Sequence, residues 1–113
     1  MSPDIERARA EFDAQNYVES RQLLEPLAHN GNIDAQCMLA NIYQLGLGIE
    51  ADGAQAVRWY KRAADRGSAL ACNNLWCIYT SGCAGVPADE REARRWYDEA
   101  KLRGFAHLPV EFY

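Results

Sequence analysis

The amino-acid sequence predicts an all-α superhelix, a solenoid of about three helical hairpins with a short C-terminal capping segment. Two stretches, 52–67 and 89–104, share an aspartate at the start, one apolar face and a glycine after the end. A fainter copy spans 16–31, so the starts lie 36 and 37 residues apart. A fixed period of this size is typical of helical repeat proteins. No strand pattern is present.

The first hairpin is predicted from helix-start signals. A serine–proline pair suits the N-cap and first helical position of a helix at about residues 3–14. Asn16 begins the second helix, with Glu19 as its capping-box partner. Pro26 removes a backbone donor, so a kink or an early 3₁₀ end is expected there. The predicted buried positions are Ile5, Ala8 and Phe12, then Ser20, Leu23, Leu24, Leu27 and Ala28.

The third and fifth helices are predicted at about 33–45 and 69–81, because their apolar residues recur at helical spacing. The two faces match each other 36 residues apart. They are Ala35, Leu39, Ile42 and Tyr43 in the third helix, and Ala71, Leu75, Ile78 and Tyr79 in the fifth.

The fourth and sixth helices have the strongest start signals. Asp52 with Gln55, and Asp89 with Glu92, form predicted capping boxes. The loop before Asp89 is one residue longer than its counterpart, which accounts for the change of period. The predicted faces are Ala56, Trp59, Tyr60, Ala63 and Ala64, then Ala93, Trp96, Tyr97 and Ala100.

These elements form one predicted domain, 1–113, with units at about 3–31, 33–67 and 69–104 and a tail at 105–113. The tail is too apolar to stay in water and is expected to fold over the open end of the sixth helix as a cap. The alternative is a surface for self-association. The tail's apolar residues are Phe105, Leu108, Val110, Phe112 and Tyr113.

Composition excludes several kinds of function. The net charge is −4, and residues 1–51 hold 3 basic against 8 acidic residues, which argues against nucleic-acid binding. No run of about 18 apolar residues is present, so no membrane span is predicted. The N-terminus lacks the apolar core of a secretory signal, which indicates a cytoplasmic protein, with export of a longer precursor left open.

Catalytic and metal-binding patterns are weak. Cys37, Cys72, Cys77 and Cys83 form no CxxC pair, and reduced thiols are expected. The two histidines have no nucleophile or metal partner in a recognisable motif. The glycine-rich LGLGIEAD turn lacks the Lys-Ser/Thr ending of a phosphate loop. We therefore predict no catalytic residue, no cofactor and no metal.

One pattern resembles a known family. AxxxLAxxYxxGxGxxxD followed by AxxWYxxAAxxG is similar to the Sel-one-like repeat (SLR), a relative of the tetratricopeptide repeat. Trp76 departs from it, standing where Ala40 has a small side chain, and Lys101 stands where Ala28 and Ala64 are expected to pack. The pattern's residues are Ala35, Leu39, Ala40, Tyr43, Gly46, Gly48, Asp52, Ala56, Trp59, Tyr60, Ala63, Ala64 and Gly67, then Ala71, Leu75, Tyr79, Gly82, Gly85, Asp89, Ala93, Trp96, Tyr97, Ala100 and Gly104.

The resemblance implies a solenoid whose first helices line a concave surface that binds another protein. The predicted partner-binding residues are the non-core positions of the third and fifth helices. Amides, a methionine and a tryptophan suit such a surface. The alternative is that the tryptophan fills a gap and the asparagines are solvated. The predicted residues are Asp34, Met38, Asn41, Leu45, Asn73, Asn74, Trp76, Cys77 and Thr80, with Leu70 and Ser81 on the same face.

The resemblance also implies which functions to expect. Similar proteins act mostly as adaptors or scaffolds, and some small bacterial ones neutralise toxins as immunity proteins. We expect an inhibitor of the immunity type, because the sequence leaves no room for an attached effector domain. An adaptor in a signalling or secretion assembly is the alternative. A hydrolase like the family's cysteine-rich relatives is disfavoured, since the cysteine spacing differs.

Overall fold

The computed structural model describes residues 3–104, and within them the chain is entirely helical apart from loops and one isolated bridge. The predicted bounds 33–45 and 69–81 are confirmed. The predictions for the tail, including its proposed contacts through Phe105, Leu108, Phe112 and Tyr113, fall outside the described residues. The helices are α1 (Pro3–Asp13), α2 (Tyr17–His29), α3 (Ile33–Leu45), α4 (Gly53–Asp65), α5 (Ala69–Ser81) and α6 (Glu90–Leu102).

The helices are stacked in chain order. The main contacts join α1 to α2, α2 to α3, α3 to α4, α4 to α5 and α5 to α6. Each hairpin therefore contacts mainly its neighbours in sequence, as a solenoid requires. This arrangement confirms the predicted all-α fold class.

The core runs between successive helices and uses the predicted faces. Leu24, Leu39 and Leu75 are fully buried, and Tyr60 is 2% exposed. Fully burying a leucine side chain contributes about 1.5–3 kcal/mol. Alanines at the remaining positions allow the helices to approach closely. The buried alanines are Ala8, Ala28, Ala35, Ala40, Ala56, Ala63, Ala64, Ala71, Ala93 and Ala100.

Two buried polar side chains join neighbouring helices. The Ser20 hydroxyl donates to the Ala8 carbonyl at 2.8 Å and so links α2 to α1. The Gln36 amide nitrogen donates to the Ala28 carbonyl at 3.0 Å and so links α3 to α2. Because both groups are buried, losing either bond would leave a polar atom away from water.

The predicted capping boxes form only in part. The Asp52 side chain accepts from the Gln55 backbone at 3.1 Å, and Asp89 caps α6 in the same way. The backbone N–H of each aspartate does not receive the predicted Gln or Glu side chain. It donates instead to the carbonyl of Tyr43 or Tyr79, at 2.8 Å in both cases. This bond joins the end of one helix to the start of the next within each hairpin.

The predicted side-chain cap by Asn16 and the predicted early 3₁₀ end at Pro26 are wrong, whereas the alternative of a kink at Pro26 stays a prediction. Asn16 occupies the N-cap position without a side-chain cap bond, and its amide nitrogen donates to Glu11 at 3.1 Å. The helix does not end at Pro26 but continues to His29. Pro26 and Gln22, whose carbonyl loses its helical donor, are both exposed, so water can satisfy that carbonyl.

The loop between α3 and α4 packs on the first turn of α2. In the same way, the loop between α5 and α6 packs on the first turn of α4. A Cβ added to Gly48 would lie 3.0 Å from the Tyr17 Cβ. At the next junction, Gly53 donates its N–H to the Ala84 carbonyl at 2.7 Å. Ala84 corresponds to Gly48 and Gly53 to Tyr17, 36 residues on. Each junction therefore has glycine on one side, since two side chains would not fit.

Candidate protein-binding surface

The predicted partner-binding residues all lie on the surface of α3 and α5, and none of them is buried. Side chains with partial burial are held by the fold and still reach solvent. The exposed ones are Asp34, Leu45, Cys77 and Thr80, and the half-buried ones are Met38, Asn41, Asn73, Asn74 and Trp76.

Tyr60, a buried residue of α4, has side-chain partners on both α3 and α5. Tyr60 extends from α4, and its hydroxyl donates to the Gln44 side chain of α3 at 3.3 Å. The Asn74 side chain of α5 lies near this hydroxyl and acts as a hydrogen-bonding group that lowers the pKa of Tyr60. Helices α3 and α5 therefore share one buried neighbour, the Tyr60 side chain of α4. We call this surface, formed by Met38, Asn41, Leu45, Leu70, Asn73, Asn74 and Cys77, the α3–α5 face.

The Tyr60 hydroxyl stays uncharged over the physiological range. Burial is the largest cause that raises the pKa of Tyr60 well above its usual value, and nearby Cys37, Cys77 and Cys83 raise it further. The Asn74 bond opposes this shift. Tyr60 therefore acts as a neutral hydrogen-bonding group and not as a base.

The edges of the α3–α5 face carry charge and apolar area. Asp34 lies 3.7 Å from Arg9 of α1, and both side chains are at least half exposed. Such an exposed ion pair contributes little to stability, so Asp34 remains available to a basic partner. Leu45 and Leu70 are 60% and 51% exposed, which is unusual for leucine in a small fold.

Trp76 packs on α6. Its ring packs edge-to-face on Tyr97 of α6, with centroids 5.2 Å apart. Ala40, 36 residues earlier, is completely buried. The sequence already indicated that position 76 differs, because a tryptophan stands there where the preceding unit has the small Ala40. Trp76 lines a separate groove of about 490 Å³, the end groove, with Ala93, Arg94, Tyr97, Asp98 and Lys101.

The cysteines and the described histidine have structural surroundings. All four thiols are free, and desolvation is the main cause that raises the pKa of each. A raised pKa keeps a thiol protonated and lowers its nucleophilicity at neutral pH. His29 packs edge-to-face on Trp59 at 5.0 Å and lies 3.6 Å from Glu25. His107 lies outside the described residues.

Among helices α1 to α6, none has both the length and the apolar character needed to cross a bilayer.

Solved structures with a similar fold were found. A protective antigen of uropathogenic Escherichia coli with an SLR fold superposes with a TM-score of 0.83 at 28% identity, covering 89% of this chain and 22% of that one. A Sel1 repeat protein from Oxalobacter formigenes gives 0.78 at 29% identity, covering 88% and 40%. This chain therefore spans less than half the length of either protein. No curated protein matches it.

The repeat itself is matched twice. The Sel1 repeat model matches residues 33–68 and 69–105, which are the second and third hairpins. These matches cover more than half of the chain and coincide with the 36-residue period and the paired helices. The chain therefore belongs to the Sel1 repeat family, whose repeats typically serve as non-catalytic modules for protein–protein interaction.

Proposed function

We propose that this protein binds a partner protein through the α3–α5 face. The observation that carries the proposal is that α3 and α5 both present half-buried side chains, and that both helices have a side-chain partner in the buried Tyr60 behind them. A binding surface that is already held in place loses little conformational freedom when the partner arrives. The fold therefore favours recognition without rearrangement of the backbone.

The chemistry of the face suits a protein surface. Asn41 and Asn73 each offer both donors and an acceptor to a partner. Met38 is half-buried and packs against the core, and its flexible thioether can adjust to an apolar contact. Leu45 and Leu70 add apolar area at the margins. The face can therefore provide an apolar contact together with directional hydrogen bonds.

The expected partner presents basic groups at the α1 side of the face. Asp34 stands there, and the first 51 residues carry a charge of −5, from 3 basic and 8 acidic residues. Complementary charge increases the rate of encounter more than the final affinity. In the free protein Asp34 forms an exposed ion pair with Arg9. A cation of the partner would have to replace only this weak pair.

The finer proposal is that binding inhibits the partner, as an immunity-type protein does, in the cytoplasm. A partner that covers the α3–α5 face would occupy it alone, and the four free thiols fit a reducing compartment. An adaptor would hold two proteins together, and the end groove offers a second surface for that role. The number of partners bound, and the effect on their activity, distinguish the two.

The test is affinity capture from the source cells followed by binding to the purified partner. Asn41→Arg places a long charged side chain on the face, while Ala54→Arg makes a comparable change at an exposed position of α4. We expect Asn41→Arg to weaken binding at least about tenfold, the effect of losing roughly 1.4 kcal/mol. Ala54→Arg should bind like the wild type.

Each outcome has a defined meaning. Equal binding by both variants would exclude the α3–α5 face as the binding site. Inhibition of one dominant partner would support the immunity-type role, whereas simultaneous binding of two uninhibited partners would support the adaptor. The far-UV circular dichroism of both variants must match that of the wild type.

A further inference from the structure

The outer face of α4 and its C-cap carries arginines that no carboxylate of the described chain neutralises. Residues 53–66 hold four basic residues and one acidic residue. Three of the basic residues, Arg58, Arg62 and Arg66, are exposed and follow one another at intervals of four, so they lie on one side of the helix. Within the described chain, none of these three guanidinium groups forms an ion pair or a hydrogen bond.

Helix α6 carries the same face in a neutralised form. Glu99 lies 3.4 Å from Arg103. Glu92 lies 3.7 Å from Arg95. In α4, a glutamine and an arginine stand where α6 has these two glutamates, so both intrahelical pairs are absent. The corresponding residues, 37 apart, are Gln55 and Glu92, Arg58 and Arg95, Arg62 and Glu99, and Arg66 and Arg103.

Contacts with α2 and with the core support two of these arginines. The Arg62 Cζ lies 4.8 Å from the centroid of the Trp59 ring, and Trp59 is 3% exposed. His29 of α2 packs edge-to-face on the same ring. A Cβ added to Gly31 would lie 2.6 Å from the Arg66 Cζ, so this guanidinium lies directly against the backbone that follows α2. Both arginines are therefore held in position while their N–H donors remain available to a ligand.

The nearby carboxylates are placed elsewhere. Glu25 of α2 lies 3.8 Å from Arg21 and 3.6 Å from His29, and it accepts from the Tyr43 hydroxyl at 3.2 Å. Asp65, the acidic residue of 53–66, forms no ion pair within the described chain. The arginines of α4 therefore have no acceptor of their own and repel one another at spacings of four residues.

We propose that this surface, the α4 basic face formed by Arg58, Arg62 and Arg66 with Trp59 and His29 behind them, binds an extended acidic segment of another protein. Arginines four residues apart are separated by about 6 Å along a helix. Alternate side chains of an extended chain are separated by about 6.6–6.8 Å. Carboxylates at alternate positions therefore match the three guanidinium groups, each of which can bind one carboxylate with two parallel hydrogen bonds.

The charge of the whole protein favours a short carboxylate ligand over a long polyanion. The net charge is −4, so a nucleic acid that extends beyond α4 would meet repulsion from the rest of the surface. A short acidic segment needs only the α4 basic face. This face differs from the α3–α5 face, and the proposal does not depend on partner binding there.

The experiment uses the full chain and a synthetic peptide with glutamate at three alternate positions. A second peptide carries glutamine at the same positions. By fluorescence anisotropy, we expect the glutamate peptide to bind at least about tenfold more tightly, and its affinity to fall as ionic strength rises.

Matched variants locate the site on the protein. Arg58→Gln should weaken binding of the glutamate peptide about twofold to fivefold, as expected for one exposed ion pair. Arg95→Gln makes the same change at the equivalent position of α6 and should leave binding unchanged. Arg62→Glu introduces the α6 residue, which can pair with Arg66. It should weaken binding at least about tenfold, with a far-UV circular dichroism spectrum like that of the wild type.

Four results would overturn the proposal. The first is equal binding of the two peptides. The second is equal weakening by Arg58→Gln and Arg95→Gln. The third is tighter binding of a DNA duplex or of phosphatidylserine vesicles than of the glutamate peptide, which would make the ligand a phosphate. The fourth is self-association that displaces the peptide and is lost in Arg62→Glu, which would make the occupant a second copy.

Discussion

Adding one methyl group at Gly53, the first residue of α4, tests how successive hairpins are joined. The backbone N–H of Gly53 donates to the Ala84 carbonyl in the longer loop between α5 and α6. A Cβ at Gly53 would overlap that oxygen and lie 2.6 Å from the Cys83 Sγ and 3.0 Å from the Val86 Cγ2. Because the first obstacle is backbone, the loop must move away from α4.

The cost can be approximated from opposing terms. Overpacking of this kind costs about 1–3 kcal/mol, and losing the hydrogen bond to Ala84 adds about 1 kcal/mol. Alanine is favoured over glycine within a helix by up to about 1 kcal/mol, which offsets part of the loss. We expect Gly53→Ala to lower the free energy of unfolding by about 1–3 kcal/mol. For a domain of this size, Tm should fall by about 4–12 °C.

The assay is thermal unfolding together with hydrogen exchange at residue 53, and Gly85→Ala is the control. Gly85 lies in the same loop with φ 79° and has no atom within 4 Å of an added Cβ. Its change should cost about 1–2 kcal/mol through backbone strain alone and leave the residue 53 amide protected. A Gly53→Ala protein as stable as the wild type, with a protected amide, would refute the packing argument.

Three further predictions follow from buried groups. Tyr60→Phe should cost about 0.5–1.5 kcal/mol at neutral pH. The pKa of Tyr60 is raised in the folded state, so its contribution to stability is fully present below pH 10.0, the pKa in the unfolded chain, and falls as the pH rises above that value. Urea unfolding should therefore give free energies of unfolding for the wild type and Tyr60→Phe that converge above pH 10.0. Ser20→Ala should lower stability by about 1 kcal/mol, whereas Ser81→Ala, at an exposed site, should have little effect in the same assay; equal losses would contradict the α1–α2 link. Peptide mass spectrometry after alkylation should find Cys77 modified first and Cys72 last, since Cys72 is completely buried.

The helices were predictable because their signals are local. The bounds of α3 and α5 follow from spacing within 13 residues, and the burial of Leu39 and Leu75 follows from helical periodicity. The aspartate caps at Asp52 and Asp89 also involve neighbours in sequence. The repetition of the same pattern in the units 33–67 and 69–104 strengthened each local signal, because the two units support the same assignment.

The features that were not predicted depend on contacts distant in sequence. The N–H of Asp52 bonds to Tyr43 across a loop, so the capping-box motif could not show which acceptor would be chosen. The complementary pairs Tyr17–Gly48 and Gly53–Ala84 are recognisable only once the hairpins are stacked. Asn16 makes no side-chain cap bond, and its amide nitrogen donates to Glu11 on the preceding helix, a contact that the capping motif does not contain.

The candidate site was predictable in composition but not in arrangement. Helical spacing placed Asn73, Asn74 and Trp76 together on α5, yet only Asn74 reaches Tyr60. Trp76 contacts Tyr97 on the next helix instead. The rotation of α5 between α4 and α6 decides this, and that rotation is set by packing against both neighbours, which no single-helix pattern contains.

The most direct test of the central proposal is a hydrogen-exchange footprint of the purified partner complex. If the α3–α5 face binds the partner, amides of residues 38–45 and 70–80 should gain protection when the complex forms. The outer turns of α2 and α4 should be unchanged, with Ala54 as an internal reference. Protection confined to α2 and α4, or to the end groove around Trp76, would contradict the proposed site.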